Sequence, residues 1–210
     1  MNAHTERSVI PGPAGPIECA IDRPRDGAAS RGLAVVAHPH PLHGGTLDNK
    51  VVQTIVRAGV QLGWTCVRFN FRGVGGTAGT HDEGRGEADD LVAVVRAHQA
   101  TLQAEGQALA LAGFSFGAYV VTFAAAALAE AGTPAQQLLL VGPSTQRARP
   151  AGVPAHTLVI HGEADDVVPL AATLDWARPQ NLPVLVLPGV GHFFHGQLPL
   201  LRELIVRHWH

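Results

Sequence analysis

Residues 109–132 read LALAGFSFGAYVVTFAAAALAEAG. Leu109 to Phe114 is apolar for the length of a strand, and a strand without polar alternation belongs in a sheet covered on both faces. From Phe116 the pattern changes to an Ala-rich run of helical length that reaches Glu130 and meets Gly132, a residue suited to ending a helix. At the junction lies Gly113-Phe114-Ser115-Phe116-Gly117, a G-x-S-x-G. A serine on so tight a strand-to-helix turn sits in a strained conformation, and its neighbours must lack Cβ for other chain segments to approach. Four serines and 24 glycines in 210 residues would give about 0.05 such pentapeptides by chance. Ser115 is therefore read as a nucleophile and not as a glycine-flanked turn residue.

The strand-helix alternation continues on both sides of this junction. Toward the N-terminus, Leu33 to Ala37 and Thr65 to Asn70 are further apolar runs, and Asp48 is placed to cap a helix reaching Leu62. Ile17 to Ile21 reads as an early strand, paired as a hairpin with Arg7 to Ile10 across the Pro11 to Pro16 turn. Asp89 or Asp90 is expected to start a helix ending near Ala104. Toward the C-terminus, strands are expected at Gln137 to Val141, His156 to Ile160 and Pro183 to Leu187, with helices near Leu170 to Arg178 and Gln197 to His208. The pattern predicts an α/β fold: a mostly parallel sheet of about eight strands with helices on both faces. No internal repeat or linker interrupts it, so residues 1–210 are expected to form one domain. Chemistry in such sheets gathers at the carboxyl ends of the strands.

A serine hydroxyl needs a base within hydrogen-bond reach, and the base needs an orienting acid. Past the strand ending at Ile160 comes His161-Gly162-Glu163-Ala164-Asp165-Asp166-Val167-Val168-Pro169, and past the strand ending at Leu187 comes Gly189-Val190-Gly191-His192-Phe193-Phe194. The chain order Ser, Asp, His resembles that of the α/β-hydrolase superfamily, and the likeness extends from about Leu33 to His208. His161 to Pro169 is similar to that family's H-G-x-x-D-x-x-V-P acid loop, which implies Asp165 as the acid, with Asp166 as its rival. The same likeness implies His192 as the base, walled by Phe193 and Phe194, with His195 facing away.

An oxyanion formed at Ser115 must meet backbone N–H donors. One is expected from Phe116, the residue after the nucleophile. The second should lie in His38-Pro39-His40-Pro41-Leu42-His43-Gly44-Gly45, where Pro39 and Pro41 have no N–H to give. Alignment of His38-Pro39 with the His-Gly pair of similar hydrolases implies His40, with Leu42 as the alternative. Together with Asp48-Asn49-Lys50 and Arg68 to Gly73, this loop resembles a small, lidless bacterial branch with esterase-like sites. Its three histidines also invite a zinc reading. The intervening prolines stiffen the segment, no cysteine lies close in sequence, and a serine hydrolase needs no metal, so neither metal nor cofactor is expected. Gly73-Val74-Gly75-Gly76 completes no phosphate-binding spacing and is read as a turn beside the pocket.

The expected activity is that of a serine hydrolase, a carboxylesterase acting on small esters through Ser115, His192 and Asp165. Only about a dozen residues, Ser144 to Ala155, separate two strands where other hydrolases insert a helical lid. Thioesterase, peptidase and dienelactone-type activities use the same triad, although the last usually carries cysteine at the nucleophile position. A non-catalytic binding module on the same fold is the alternative from another class. With a net charge of −2 and a pI near 6.6, the chain lacks the basic excess that nucleic acid or anionic membrane would call for. A small-molecule ester is the expected partner, and a homodimer through an edge strand stays open. Residues 1–10 lack the apolar core of a secretory signal, and Cys19 and Cys66 are expected as free thiols, which together point to the cytoplasm.

Overall fold

A computed structural model describes residues 5–24, 30–102, 108–146 and 149–209. β1 (Glu6–Gly12) and β2 (Gly15–Asp22) form the expected hairpin, turning on Pro13 and Ala14. They join β3 (Gly32–Ala37), β4 (Trp64–Phe69), β5 (Ala108–Phe114), β6 (Gln137–Val141), β7 (Leu158–Gly162) and β8 (Val184–Leu187) in one open sheet of order β1-β2-β4-β3-β5-β6-β7-β8. The hairpin and the β2–β4 pair are antiparallel, and every pairing from β4 onward is parallel. β7 lies two residues later than expected, because a turn closed by Thr157 N–H on the Pro154 carbonyl occupies its beginning.

Helices cover both faces, as the uninterrupted apolar strands require. α1 (Lys50–Gln61) and α5 (Leu198–His208) pack on one side, where Val52, Ile55, Leu201 and Ile205 meet Ala34, Val36, Ala112 and Val141. On the other, α2 (Arg85–Leu102), α3 (Phe116–Glu130) and α4 (Leu170–Ala177) meet the larger side chains Leu33, Val35, Val67, Leu111 and Leu140.

Two helix starts differ from expectation. Asn49, not Asp48, caps α1, its Oδ1 accepting from Val51 and Val52 N–H at 2.9 and 3.3 Å. Asp48 is instead engaged by Arg7 and by Arg68, a buried guanidinium that also meets Asp22. α2 begins ahead of Asp89 and Asp90 because Glu87, fully buried, accepts from Gly84 and Asp82 N–H at 2.8 and 2.9 Å and ties down the first turn. Asp90 is bridged by Arg72. The expected end near Ala104 lies outside the described residues.

Because β3 to β8 run parallel, the loops after β3, β5, β6, β7 and β8 open on the same edge of the sheet. The β6–β7 connection contains no helix among its described residues. No helix of the described residues is long and apolar enough to cross a membrane.

Candidate active site

Ser115 occupies the junction between β5 and α3 at φ 57°, ψ −118°, a left-handed conformation that non-glycine residues adopt at a cost of about 1–3 kcal/mol. Its surroundings hold it there. The Ser115 N–H donates to Val141 O at 2.9 Å, and Ser115 O accepts from Ser144 N at 3.1 Å. A Cβ on Gly113 would lie 2.5 Å from the backbone of Gly117 and Ala118, and one on Gly117 would lie 2.4 Å from His38 O. Both glycines are therefore required by contact: Gly113 lets α3 fold back on the strand, and Gly117 lets the loop after β3 lie against the helix start.

Ser115 Oγ donates to His192 Nε2 at 2.9 Å, and His192 Nδ1–H donates to Asp165 Oδ2 at 2.6 Å. The sequence-predicted serine, histidine and Asp165 are thus joined in one chain of hydrogen bonds. Asp165 is 7% exposed, and its other oxygen accepts from Val167 and Val168 N–H at 3.0 and 2.7 Å. Burial by itself would raise the Asp165 carboxyl, but the hydrogen bonds from His192 and Val168 outweigh it and hold the group below its ordinary value. Asp166 is exposed and takes no part in this chain.

The acid and base loops interlock. Ala164 N–H donates to Val190 O at 3.0 Å, and a Cβ on Gly162 would lie 2.2 Å from that same carbonyl. The His192 ring sits between Phe114, 5.0 Å away, and Phe193, 5.1 Å away and perpendicular to it. Phe194 does not wall the histidine as expected: it is buried in the core under α1 and α5. His195 is exposed.

Phe116 opens α3, so its N–H has no intrahelical acceptor and is available at the nucleophile. The His40 ring lies 4.8 Å from the Phe116 ring, which places the loop after β3 beside it. Leu42 suits a second donor less well, since its N–H is directed at His40 Nδ1, 3.3 Å away. His38 anchors this loop from beneath. Its Nε2 accepts from Phe71 N–H at 2.9 Å and its Nδ1–H donates to Pro39 O at 2.6 Å, and burial pushes its pKa down to about 4, so the ring is neutral.

The roles of two residues at the site were not read from the sequence. His81, held by Glu87 at 2.9 Å, packs on Phe116 and His40 at the rim. The separation of His81 from the oxyanion loop in sequence hid it, and Gly84 has no side chain to form the Ser or Thr half of a capping box with Glu87. His161, the first residue of the acid loop but given no role there from the sequence, lies 3.5 Å from Asp165 Oδ2. Among the described residues no group of three or more His, Cys, Asp or Glu is arranged to hold a metal ion.

No protein-family model matches the chain. It is 43% identical over 88 residues to an uncharacterized protein of Rickettsia prowazekii, a match spanning 42% of this chain and 37% of the length of that curated relative. Among solved structures it is similar to a lidless α/β serine hydrolase from Xanthomonas campestris, at 41% identity over 99% of this chain and 94% of that one, with a TM-score of 0.88. An α/β serine hydrolase homologue from Coxiella burnetii is 40% identical over 96% of both chains, with a TM-score of 0.82. Est1E from Butyrivibrio proteoclasticus shares the fold at 16% identity and a TM-score of 0.75. Two relatives of about 40% identity along nearly their whole length, on a shared sheet with the serine at its central junction, show that the chain belongs to the α/β serine hydrolases.

Proposed function

We propose that the protein hydrolyses small carboxylic esters through an acyl-enzyme on Ser115. The observation that carries this reading is the unbroken Ser115–His192–Asp165 chain, at 2.9 and 2.6 Å, beneath a serine held in a left-handed turn. Ser115 Oγ attacks the carbonyl carbon while its proton passes to His192 Nε2. The oxyanion is met by the Phe116 and His40 N–H groups, and Asp165 stabilises the imidazolium. Collapse breaks the bond to the alcohol, which leaves with the proton from Nε2. Water then attacks the acyl group with His192 again as base, releasing the acid and restoring Ser115.

Substrate size follows from the rim. With no helix among the described residues between β6 and β7 the site is open, and Leu42 and Phe193 stand exposed on two of its loops. Such a site offers little enclosed surface for discriminating long acyl chains, which favours short ones. Turnover of p-nitrophenyl acetate by the wild type and by Ser115→Ala tests the proposal. A loss of about 10⁴ to 10⁶ in kcat with unchanged thermal unfolding is expected. Equal rates in the two proteins would overturn it.

A further inference from the structure

Behind the carboxylate of Asp165 lies a second imidazole that the ester mechanism does not use. His161 is the penultimate residue of β7, has no solvent exposure and makes three polar contacts. Its Nε2 lies 2.9 Å from Val168 O and 3.5 Å from Asp165 Oδ2, and its Nδ1 lies 3.4 Å from Thr173 Oγ1. Nε2 faces two acceptors and no donor, so the ring proton is on Nε2 and Nδ1 accepts from the Thr173 hydroxyl. That commits the only proton of Thr173, so Thr145 Oγ1, 3.2 Å further on, is the donor to Thr173. A relay thus runs from the loop after β6, through α4, to the acid loop. Burial lowers the His161 pKa, in keeping with a neutral ring.

Val168 is the pivot of this arrangement. Its N–H donates to Asp165 Oδ1 at 2.7 Å, and its carbonyl accepts from His161 Nε2–H at 2.9 Å. The orientation of the carboxylate therefore depends on where His161 holds the Val168 backbone, whose N–H and carbonyl lie on the two peptide units flanking one Cα. Oδ2, the oxygen that His192 uses, also lies 3.5 Å from His161 Nε2.

We propose that His161 is a positioning residue: its Nε2–H, held toward Val168 by the Thr173 hydroxyl on Nδ1, sets the Val168 backbone and so the direction in which Asp165 presents Oδ2 to His192. The proposal rests on the Ser115–His192–Asp165 reading, and its test separates the two. His161→Leu removes the donor, His161→Gln restores an N–H at nearly the same reach, and Thr173→Val removes the hydroxyl that holds the ring, at constant shape. Two quantities are read: the low-field proton resonance of His192 Nδ1–H, which needs no substrate, and kcat with KM on p-nitrophenyl acetate.

The expected result is loss or upfield movement of the resonance in His161→Leu, with kcat down by about 10²-fold and KM within about twofold. His161→Gln should keep the resonance, and Thr173→Val should fall between. A folded His161→Leu protein with wild-type resonance and kcat would overturn the proposal, as would a glutamine variant as impaired as the leucine one. If His161→Leu does not fold, wild-type behaviour of Thr173→Val overturns the proposal, and a weakened resonance there supports it. A wild type that shows the resonance but turns over no ester defeats the ester reading alone.

Discussion

At the scale of single residues, the site turns on which of two adjacent carboxylates meets the histidine. Asp165 accepts from His192 Nδ1 and from two backbone N–H groups, whereas Asp166 faces solvent. Asp165→Asn is accordingly expected to lower kcat by about 10³ to 10⁴-fold, since an amide cannot hold the imidazole in the working tautomer. Asp166→Asn should stay within about twofold of wild type, and the reverse ranking in ester turnover would reassign the acid. The nucleophile was legible in the sequence because G-x-S-x-G needs a strand before it and a helix after it, and both could be read. The choice between Asp165 and Asp166 could not be read from spacing alone. It is made by the Val167 and Val168 amides, which close a turn around one carboxylate, a backbone event that the side-chain pattern does not record. The helper role of His161 was hidden likewise, because its partners Thr173 and Thr145 lie on other elements.

At the scale of elements, the serine turn exists only because three segments crowd onto it. β5 and α3 meet across Gly113, and the loop after β3 rests on Gly117, where a Cβ would fall 2.4 Å from His38 O and 2.5 Å from Ala37 O. Gly117→Ala is expected to destabilise the protein by about 3 kcal/mol, because the obstructing atoms are backbone and cannot swing aside. Urea unfolding would register this as a lower midpoint at unchanged m-value, and an unmoved midpoint would contradict the packing described. Strands were the most legible elements, since apolar runs such as Leu33 to Ala37 have no other home than a doubly covered sheet. Helix starts were less so. Asp48 and Asn49 cap equally well in isolation, and the tie is broken by Arg68, which lies in β4 and draws Asp48 away. Likewise α2 starts at Arg85 because Glu87 folds back on Gly84, while Asp90 answers to Arg72.

At the scale of the whole molecule, the parallel strands deliver a serine, a histidine and an aspartate from three distant stretches to one edge of the sheet. The same convergence buries neutral imidazoles, which links stability to pH. His38 titrates near 4 in the fold against 6.5 for the ordinary group, because burial disfavours its charged form. Between those values the unfolded chain holds a proton that the fold does not, so stability rises with pH. It is present in full above pH 6.5 and is lost progressively as pH falls to about 4, by about 3 kcal/mol from His38. His161, also lowered by burial, acts in the same direction, whereas Asp165, held below its ordinary 3.8, acts only at more acid pH. Urea midpoints at pH 7 and pH 4.5 should therefore differ more in the wild type than in His38→Gln, and equal differences would contradict the account of His38. The central claim is that this architecture activates Ser115, and the most direct test is the intact mass of the protein after exposure to a fluorophosphonate, beside Ser115→Ala. A single adduct on the wild type and none on the variant is the predicted result; a folded wild type that takes up no reagent, or a variant labelled equally, would contradict it.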